Sequence, residues 1–143
     1  MKSKILVFVQ FATIMIMLLP LGTPTTFLYS GLFFIVIGAV IGIAALSVNK
    51  LDNFNIRPDI KEDCTLVKEG IYTYIRHPMY TSVLVGMFGV MLVYFNVYIM
   101  SVYAVLLVNM FVKMFYEESL WHCHSDEYLE YTQNTSRLIP KVF

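Results

Sequence analysis

The amino-acid sequence predicts an all-α, polytopic membrane protein with about four transmembrane helices arranged as two helical hairpins. Hydrophobic residues make up 58% of the 143 residues, which is more apolar than the usual composition of a soluble domain. Two stretches, residues 5–49 and 77–112, contain no Lys, Arg, Asp or Glu. One crossing needs roughly 20 apolar residues, so each stretch is long enough for two helices. The charges of the basic and acidic residues cancel, so the formal net charge is zero. The sequence contains no nucleic-acid-binding signature.

Breaks within the two apolar stretches place the four helices. The first stretch is interrupted at Pro20-Leu21-Gly22-Thr23-Pro24, where proline removes backbone donors and glycine loosens the chain. In the second stretch Asn96 is the turn candidate. We therefore predict spans near residues 5–21, 27–48, 79–95 and 97–115. The whole chain, 1–143, is predicted to form one domain that contains an N-terminal hairpin, a connecting segment, a second hairpin and an amphipathic C-terminal tail, at residues 1–48, 49–78, 79–116 and 117–143.

The positions of the basic residues predict the orientation in the membrane. Every Lys and Arg lies in the N-terminal stub, in the connecting segment or after residue 112. Four crossings place all three on one side, which the positive-inside rule identifies as the cytoplasm, so both termini are expected there. The alternative is a cleavable signal peptide, but no small-x-small site precedes Thr25, and its removal would put charged segments on opposite faces. Cys64 and Cys123 are then cytoplasmic and are expected to stay reduced.

The connecting segment ends in GIYTYIRHPMY, which places many hydrogen-bonding groups at the start of the third span. Gly70 is expected to supply a turn, and Pro78 suits the first position of a helix. Arg76 and His77 then lie at a helix N-terminus, where free N–H groups and the helix dipole favour an anionic ligand. The alternative is interfacial anchoring, in which Arg76 snorkels beside an aromatic belt formed by Tyr72, Tyr74 and Tyr80.

A second polar cluster lies toward the end of the fourth span. Asn109, Lys113 and Glu117 follow i, i+4, i+8 spacing and share one helical face, with Glu118 beside them. Ionisable groups at membrane depth are costly and usually functional. If the second hairpin is antiparallel, His77 and Glu117 face one cavity, which would suit a zwitterionic ligand such as an amino acid moiety. The alternative is a Lys113–Glu117 ion pair at the water boundary.

The tail sequence EESLWHCHSDEYLEYTQ predicts an amphipathic interfacial helix. The side chains expected to face the membrane are Leu120, Trp121, Cys123, Tyr128, Leu129 and Tyr131. The sequence His122-Cys123-His124 suggests zinc ligands, together with Cys64 and His77. Residues 122 and 124 of a helix point about 200 degrees apart, however, so no metal site is predicted.

Two segments, LVKEGIYTYIRHPMYTS and EESL…DEYLEYTQNTSRLIP, closely resemble the isoprenylcysteine carboxyl methyltransferase and phospholipid methyltransferase superfamily of integral-membrane enzymes. The resemblance covers about residues 64–140. It implies that S-adenosylmethionine binds in a cytoplasmic pocket capped by the connecting segment and the tail, with S-adenosylhomocysteine as product. Lys113 stands where some members carry a substrate-associated arginine. The residues that correspond to cofactor contacts are Leu66, Val67, Tyr72, Arg76, His77, Pro78, Tyr80, and Glu117 or Glu118.

The sequence departs from the family pattern in the tail. Where the family pattern has a Phe-Gly pair, this sequence has His124-Ser125. The spacing from the glutamate pair, Glu117-Glu118, to Tyr128 is one residue shorter than in the family pattern. Either a residue is missing within 119–125, or Tyr116 replaces the first Glu of the pair. We prefer the deletion, because it also keeps Lys113 in the position of the arginine.

The resemblance implies a membrane methyltransferase whose acceptor enters from the bilayer and whose cofactor enters from the cytoplasm. The acceptor would be an isoprenylcysteine-like carboxylate, a phospholipid amine or another small hydrophobic compound. His77 and Glu117 would orient the cofactor, and Lys113 would position an anionic acceptor; these three are the catalytic candidates. The alternatives are a non-enzymatic membrane scaffold or lipid-binding module, and a family member that binds cofactor without turnover.

Overall fold

The computed structural model describes residues 2–19, 22–49, 66–124 and 126–143. These residues form a 3-10 turn, Gly70–Thr73, and five α-helices: α1 (Lys2–Leu18), α2 (Leu28–Val48), α3 (Pro78–Val93), α4 (Val97–His124) and α5 (Asp126–Asn134). The predicted break at Pro20-Leu21, residues 50–65 of the connecting segment with Cys64, and Ser125 lie outside the described residues.

The all-helical prediction is confirmed for the described residues, whose one β-type contact is an isolated parallel bridge between Ile75 and Ser136. Apolar runs in a membrane form helices because every backbone polar group must be paired within the chain. By length and composition, α2 and the Val97–Cys123 part of α4 can cross a membrane, whereas α3 is apolar but shorter. The four-crossing topology therefore stays a prediction.

Small residues let α2 and α3 pack closely in antiparallel directions. At one end, the N–H of Thr25 donates to the carbonyl of Val93 at 2.8 Å, and near the other end Ser82 Oγ donates to the carbonyl of Gly38 at 2.7 Å. A Cβ atom added to Gly38 would lie 2.6 Å from the backbone nitrogen of Gly86. The two backbones are thus in direct contact, which small residues allow in membrane helices.

The remaining helix contacts place α1 against α4. α1 packs mainly against α4, while α2 packs mainly against α3, so the two helices of the predicted N-terminal hairpin lie against different partners. The core between α1, α3 and α4 is rich in methionine, an unbranched side chain that fills irregular gaps. Its buried members include Met17, Leu84, Met87, Leu106, Met110 and Met114.

The outer surface of the helices is strongly apolar. Large exposed side chains on α2 and α4 include Phe33, Val36, Val40, Ile43, Val105, Val108 and Val112. Many large apolar side chains exposed along two helices are typical of a membrane or protein contact rather than of a water-exposed face.

A short connection returns the chain from α3 to α4. Asn96, the predicted turn residue, donates through Nδ2 to the carbonyl of Tyr94 at 2.9 Å and accepts from the N–H of Ile99 at 3.0 Å. The accepting side-chain oxygen satisfies one of the free N–H groups at the start of α4. Tyr103 then donates to the carbonyl of Leu84 at 3.2 Å. The start of α3 and the end of α4 consequently lie at the same end of the molecule.

Candidate active site

A turn at Gly70 and a proline at residue 78 lead the chain into α3. Gly70 has φ +58°, a left-handed conformation that favours glycine, and it begins the 3-10 turn. A Cβ atom at Gly70 would lie 2.6 Å from Cγ2 of Val48 at the end of α2. Pro78 occupies the first turn of α3, where its missing N–H costs nothing. Both sequence predictions for this segment are confirmed.

The C-terminal tail packs along the segment that precedes α3. The N–H of Arg76 donates to the carbonyl of Ser136 at 2.8 Å, and the N–H of His77 donates to the carbonyl of Arg137 at 3.0 Å. In return, the N–H of Ser136 donates to the carbonyl of Tyr74 at 3.1 Å. Main-chain hydrogen bonds therefore fix the tail beside Arg76-His77-Pro78 (the R-H-P segment).

The Glu118 carboxylate lies among three basic side chains. Its Oε1 accepts from Arg76 Nε at 3.1 Å and lies 3.4 Å from His77 Nε2, and its Oε2 accepts from Arg137 Nε at 2.9 Å. Arg76 also donates through Nη1 to the carbonyl of Thr132 at 3.2 Å. Glu118 is 4% exposed, and a carboxylate so buried requires paired charges and hydrogen bonds. This ion-pair cluster joins α4, the start of α3 and the tail.

Glu117 faces the same end of α3 in different surroundings. It is half-buried and accepts a hydrogen bond from the hydroxyl of Tyr80. The ring of Tyr80 stacks on the imidazole of His77, with centroids 5.2 Å apart and an interplanar angle of 1°. The structure therefore connects His77 to Glu117 through Tyr80, whereas the direct contact of the imidazole is with Glu118.

Lys113 is buried between α1 and α4. Its side chain is among the fully buried ones at 2% exposed, its Nζ donates to Gln10 Oε1 at 2.7 Å, and the same nitrogen lies 5.1 Å from the centroid of the Tyr80 ring. One turn earlier, Asn109 donates to a backbone carbonyl of α1 at 3.1 Å. The predicted polar face of α4 is confirmed. Among the ion pairs of the described residues, none joins Lys113 to Glu117.

The other predicted cofactor contacts lie in or beside the segment that leads to Arg76. Leu66 and Val67 are half-buried just before the 3-10 turn, and Pro78 is fully buried. Tyr72 is 8% exposed, and its hydroxyl accepts from Asn49 Nδ2 at 3.4 Å. Burial raises the pKa of Tyr72 above its usual value, so its hydroxyl stays protonated at neutral pH.

The prediction that Tyr128 and Tyr131 face the membrane is wrong. Tyr128 is 2% exposed and Tyr131 is 7% exposed. The hydroxyl of Tyr131 donates to the carbonyl of Tyr72 at 2.6 Å, and the ring of Tyr128 stacks on Trp121 with centroids 5.6 Å apart. Leu129, between them, is 41% exposed. α5 therefore turns its tyrosines toward the protein, because each ring finds a partner there.

Three contributors to this region are not predicted from the sequence. Gln10 supplies an acceptor to Lys113 from a different helix, Arg137 pairs with Glu118, and the Tyr128 hydroxyl is buried. For Gln10 the available signal is a polar residue within a charge-free span, since such residues usually face another helix. For Arg137 the available signal is its place in the second segment that resembles the family, NTSRLIP, which predicts no partner.

A model of the Phospholipid methyltransferase family matches residues 26–123, which include α2 and α3 and nearly all of α4. The match covers more than half of the chain, and the chain therefore belongs to this family of membrane methyltransferases. The resemblance found in the sequence is confirmed. α1 with Gln10 and the tail with Tyr128 and Arg137 lie outside the matched residues. A search of curated proteins finds no matching relative.

Proposed function

We propose that this protein is an integral-membrane methyltransferase that uses S-adenosylmethionine and acts on a lipophilic acceptor. The acceptor classes are an isoprenylcysteine-like carboxylate, a phospholipid amine or another small hydrophobic compound. In this proposal α1 to α4 all cross the membrane and both termini are cytoplasmic, as the positions of the basic residues favour. The R-H-P segment and the glutamates then lie at the cytoplasmic ends of α3 and α4.

The observation that carries the proposal is the meeting of the R-H-P-x-Y segment with the glutamate pair. Arg76 and His77 contact Glu118, and Tyr80 donates to Glu117. These are the two segments on which the family resemblance rests. Residues that served only as interfacial anchors would extend toward water and headgroups, whereas His77 and Glu118 are buried against each other.

The two glutamates differ in what they can bind, and Glu117 is better suited to a ligand. The charge of Glu118 is already balanced by Arg76 and Arg137. Glu117 is half-buried and accepts from a neutral hydroxyl, that of Tyr80. The charge of Lys113 acts on Glu117, but no ion pair of the described residues includes Glu117, and a ligand ammonium beside it would supply one. We therefore assign Glu117 to the ammonium of the methionine part of the cofactor, with His77 orienting the same end.

Lys113 is suited to hold the polar group of an anionic acceptor. Its ammonium lies between α1 and α4, and it has three N–H donors, of which Gln10 accepts one. A carboxylate or phosphate at this depth would form charge-assisted hydrogen bonds with the ammonium. An acceptor that approaches through the bilayer would bring its apolar part along the exposed apolar faces of the helices.

When bound, S-adenosylmethionine would supply a methyl group on a positively charged sulfur. A lone pair of the acceptor would form a bond to the methyl carbon while the carbon–sulfur bond breaks, which leaves the sulfur as a neutral thioether. The task of the protein residues is to hold both partners in line and to exclude water. Orientation of this kind is worth about 7–11 kcal/mol in favourable cases. An amine or thiol acceptor must also lose a proton, and His77 and Glu117 are the groups of this site that can accept it.

Cofactor binding is tested by isothermal titration of the purified protein in detergent with S-adenosylhomocysteine. The variants are Glu117→Gln and His77→Ala. The matched control is Glu127→Gln, because Glu127 is largely exposed in its pair with Lys68. We expect saturable binding to the wild type and the control, and affinity about tenfold weaker in the two site variants. Absence of binding to the wild type would contradict the proposal and favour a non-enzymatic membrane module.

Turnover and acceptor class are tested together with labelled S-adenosylmethionine and a membrane lipid extract. Mass spectrometry of the extract should reveal a labelled methyl group on a lipophilic product, and the fragment that carries it identifies the atom methylated. Cofactor binding without any labelled product would indicate a family member that has lost turnover.

A further inference from the structure

The hydroxyl of Tyr128 is buried without a hydrogen-bond partner among the described residues. Tyr128 is 2% exposed, and leaving a buried polar atom unpaired costs about 1–3 kcal/mol. Such an atom in a native protein requires an explanation, and a bound ligand that completes the hydrogen bond is one of them.

Tyr131, one turn further along α5, provides the contrast. Its hydroxyl donates to the carbonyl of Tyr72 at 2.6 Å, so it has a structural partner. The two tyrosines lie on the same helix, both are buried, and their rings are 6.1 Å apart. They differ in hydrogen bonding: the hydroxyl of Tyr131 has a partner within the protein, whereas the hydroxyl of Tyr128 has none in the described part.

Two aromatic side chains of α4 pack against the ring of Tyr128. The indole of Trp121 stacks on the ring of Tyr128 with centroids 5.6 Å apart and an interplanar angle of 21°. The imidazole of His122 meets the same ring edge-on at 5.3 Å. Trp121 is half-buried and His122 is exposed, so the aromatic group extends from the interior to the surface. Aromatic faces of this kind stack well on nucleobases.

The charges of the candidate site reach the same hydroxyl. Burial raises the pKa of Tyr128, the charges of Glu118 and Glu117 raise it further, and Arg76 opposes them. The phenol is therefore neutral at physiological pH and offers an O–H donor.

We propose that the Tyr128 hydroxyl donates a hydrogen bond to the adenosine half of the methyl donor, beside the aromatic rings of Trp121 and His122. This inference rests on the proposed function. Adenosine offers an aromatic face together with ring-nitrogen and ribose-oxygen acceptors, which a neutral donor among aromatic rings matches. The charged amino acid half is better matched by Glu117 and His77. The tail, outside the family match, thus contributes to cofactor binding.

The test compares Tyr128→Phe with Tyr131→Phe by isothermal titration and thermal unfolding of the full chain in detergent. The probes are S-adenosylhomocysteine and 5′-methylthioadenosine, which lacks the amino acid half. For Tyr128→Phe we expect affinity about tenfold weaker for both probes and an unchanged or higher unfolding temperature, since the unpaired atom is removed. For Tyr131→Phe we expect a lower unfolding temperature.

Three outcomes would overturn the inference while leaving the proposed function intact. The first is unchanged affinity of Tyr128→Phe for S-adenosylhomocysteine. The second is a loss for S-adenosylhomocysteine with none for methylthioadenosine, which would assign the hydroxyl to the amino acid half. The third is a fall in unfolding temperature as large as that of Tyr131→Phe, which would make Tyr128 structural. If the wild type binds neither S-adenosylhomocysteine nor methylthioadenosine, the proposed function itself is overturned, and this inference with it.

Discussion

Oε2 of Glu118 lies 2.9 Å from Nε of Arg137, so a carboxylate near the end of α4 holds the C-terminal tail against the start of α3. The other oxygen of the same carboxylate accepts from Arg76. One buried anion therefore ties together three segments that are distant in sequence. The position of the R-H-P segment depends on this anion as well as on its own helix.

Glu118→Gln is expected to lower the free energy of unfolding by about 3 kcal/mol, because removing one partner of a buried ion pair leaves uncompensated charge behind. Arg137→Gln should cost less, about 1 kcal/mol, since the Arg137 side chain is 35% exposed. The measurement is denaturant unfolding in mixed micelles followed by circular dichroism.

The matched control for the ion-pair cluster is Lys68→Gln, which breaks the surface pair between Lys68 and Glu127. That pair is solvent-screened, so the control should change stability by no more than about 0.5 kcal/mol. Equal effects of Glu118→Gln and Lys68→Gln would show that the buried cluster does not hold the tail.

Gln10 and Lys113 are expected to be energetically coupled across α1 and α4. Gln10→Leu removes the acceptor of a buried ammonium, and Lys113→Met removes the donor of a buried amide, so each should cost about 1–3 kcal/mol. The double variant replaces both groups with apolar ones and should cost less than the sum of the two. A double-mutant cycle measures the difference, expected to be about 1–2 kcal/mol.

Thr13→Val is the control for this cycle, since Thr13 Oγ1 bonds to carbonyls of its own helix at 2.8 and 2.9 Å. Its effect should add to that of Lys113→Met within about 0.5 kcal/mol. Additivity of Gln10→Leu with Lys113→Met would contradict the hydrogen bond between the two helices.

Gly38→Ala is expected to separate α2 from α3, whereas Gly86→Ala is not. The added Cβ of the first variant would lie 2.6 Å from Gly86 N and 2.8 Å from the carbonyl oxygen of Ser82, and neither backbone atom can move alone. We expect a loss of about 1–3 kcal/mol. A Cβ on Gly86 meets nothing within 4 Å, so that variant should be neutral or stabilising by up to about 1 kcal/mol. Equal losses in thermal unfolding would contradict the close approach.

Tyr131 is expected to make stability fall at alkaline pH. Burial raises the pKa of Tyr131 to about 12, above the unfolded value of about 10. The neutral phenol therefore stabilises the folded state fully below pH 10, and this contribution is lost as the pH rises toward 12. The stability difference between wild type and Tyr131→Phe should accordingly be constant from pH 7 to 9 and shrink above pH 10.

Unfolding measurements at each pH check the Tyr131 prediction, with Tyr74→Phe as the control. The Tyr74 side chain is 65% exposed, so that variant removes one phenol without removing a buried contact and should leave stability between pH 7 and 9 unchanged. A constant difference between wild type and Tyr131→Phe up to pH 12 would contradict the assignment.

Local features of the site could be predicted from the sequence because they depend on a few neighbouring residues. Gly70 adopts the left-handed conformation that a turn requires, Pro78 begins α3 and Asn96 caps α4. The polar face of α4 follows from helical spacing alone, which aligns Asn109 with Lys113. Partners across helices do not follow from spacing: the sequence predicts that His77 and Glu117 face one cavity, whereas the imidazole of His77 contacts Glu118.

The tail marks the limit of prediction from pattern. An amphipathic sequence identifies a face that avoids water, but it does not say whether lipid or protein covers that face. In α5 the protein covers it, because Tyr131 donates to the carbonyl of Tyr72 and the Tyr128 ring stacks on Trp121. The α4 helix also continues to His124, past the predicted end of the span, since no helix-breaking residue stands between 115 and 124.

By itself the sequence determined the helical class, the approximate helix positions and the family, because charge-free runs and fixed motif spacings are properties of the chain. Only the tertiary structure decided that the charge of Glu118 is paired with arginine side chains while Glu117 accepts from a neutral hydroxyl. The same is true of the hydrogen bond that Gln10 of α1 accepts from Lys113. The physical reason is that buried charges and polar groups are stabilised by whichever partners the packing brings within hydrogen-bond distance, and those partners lie far away along the chain.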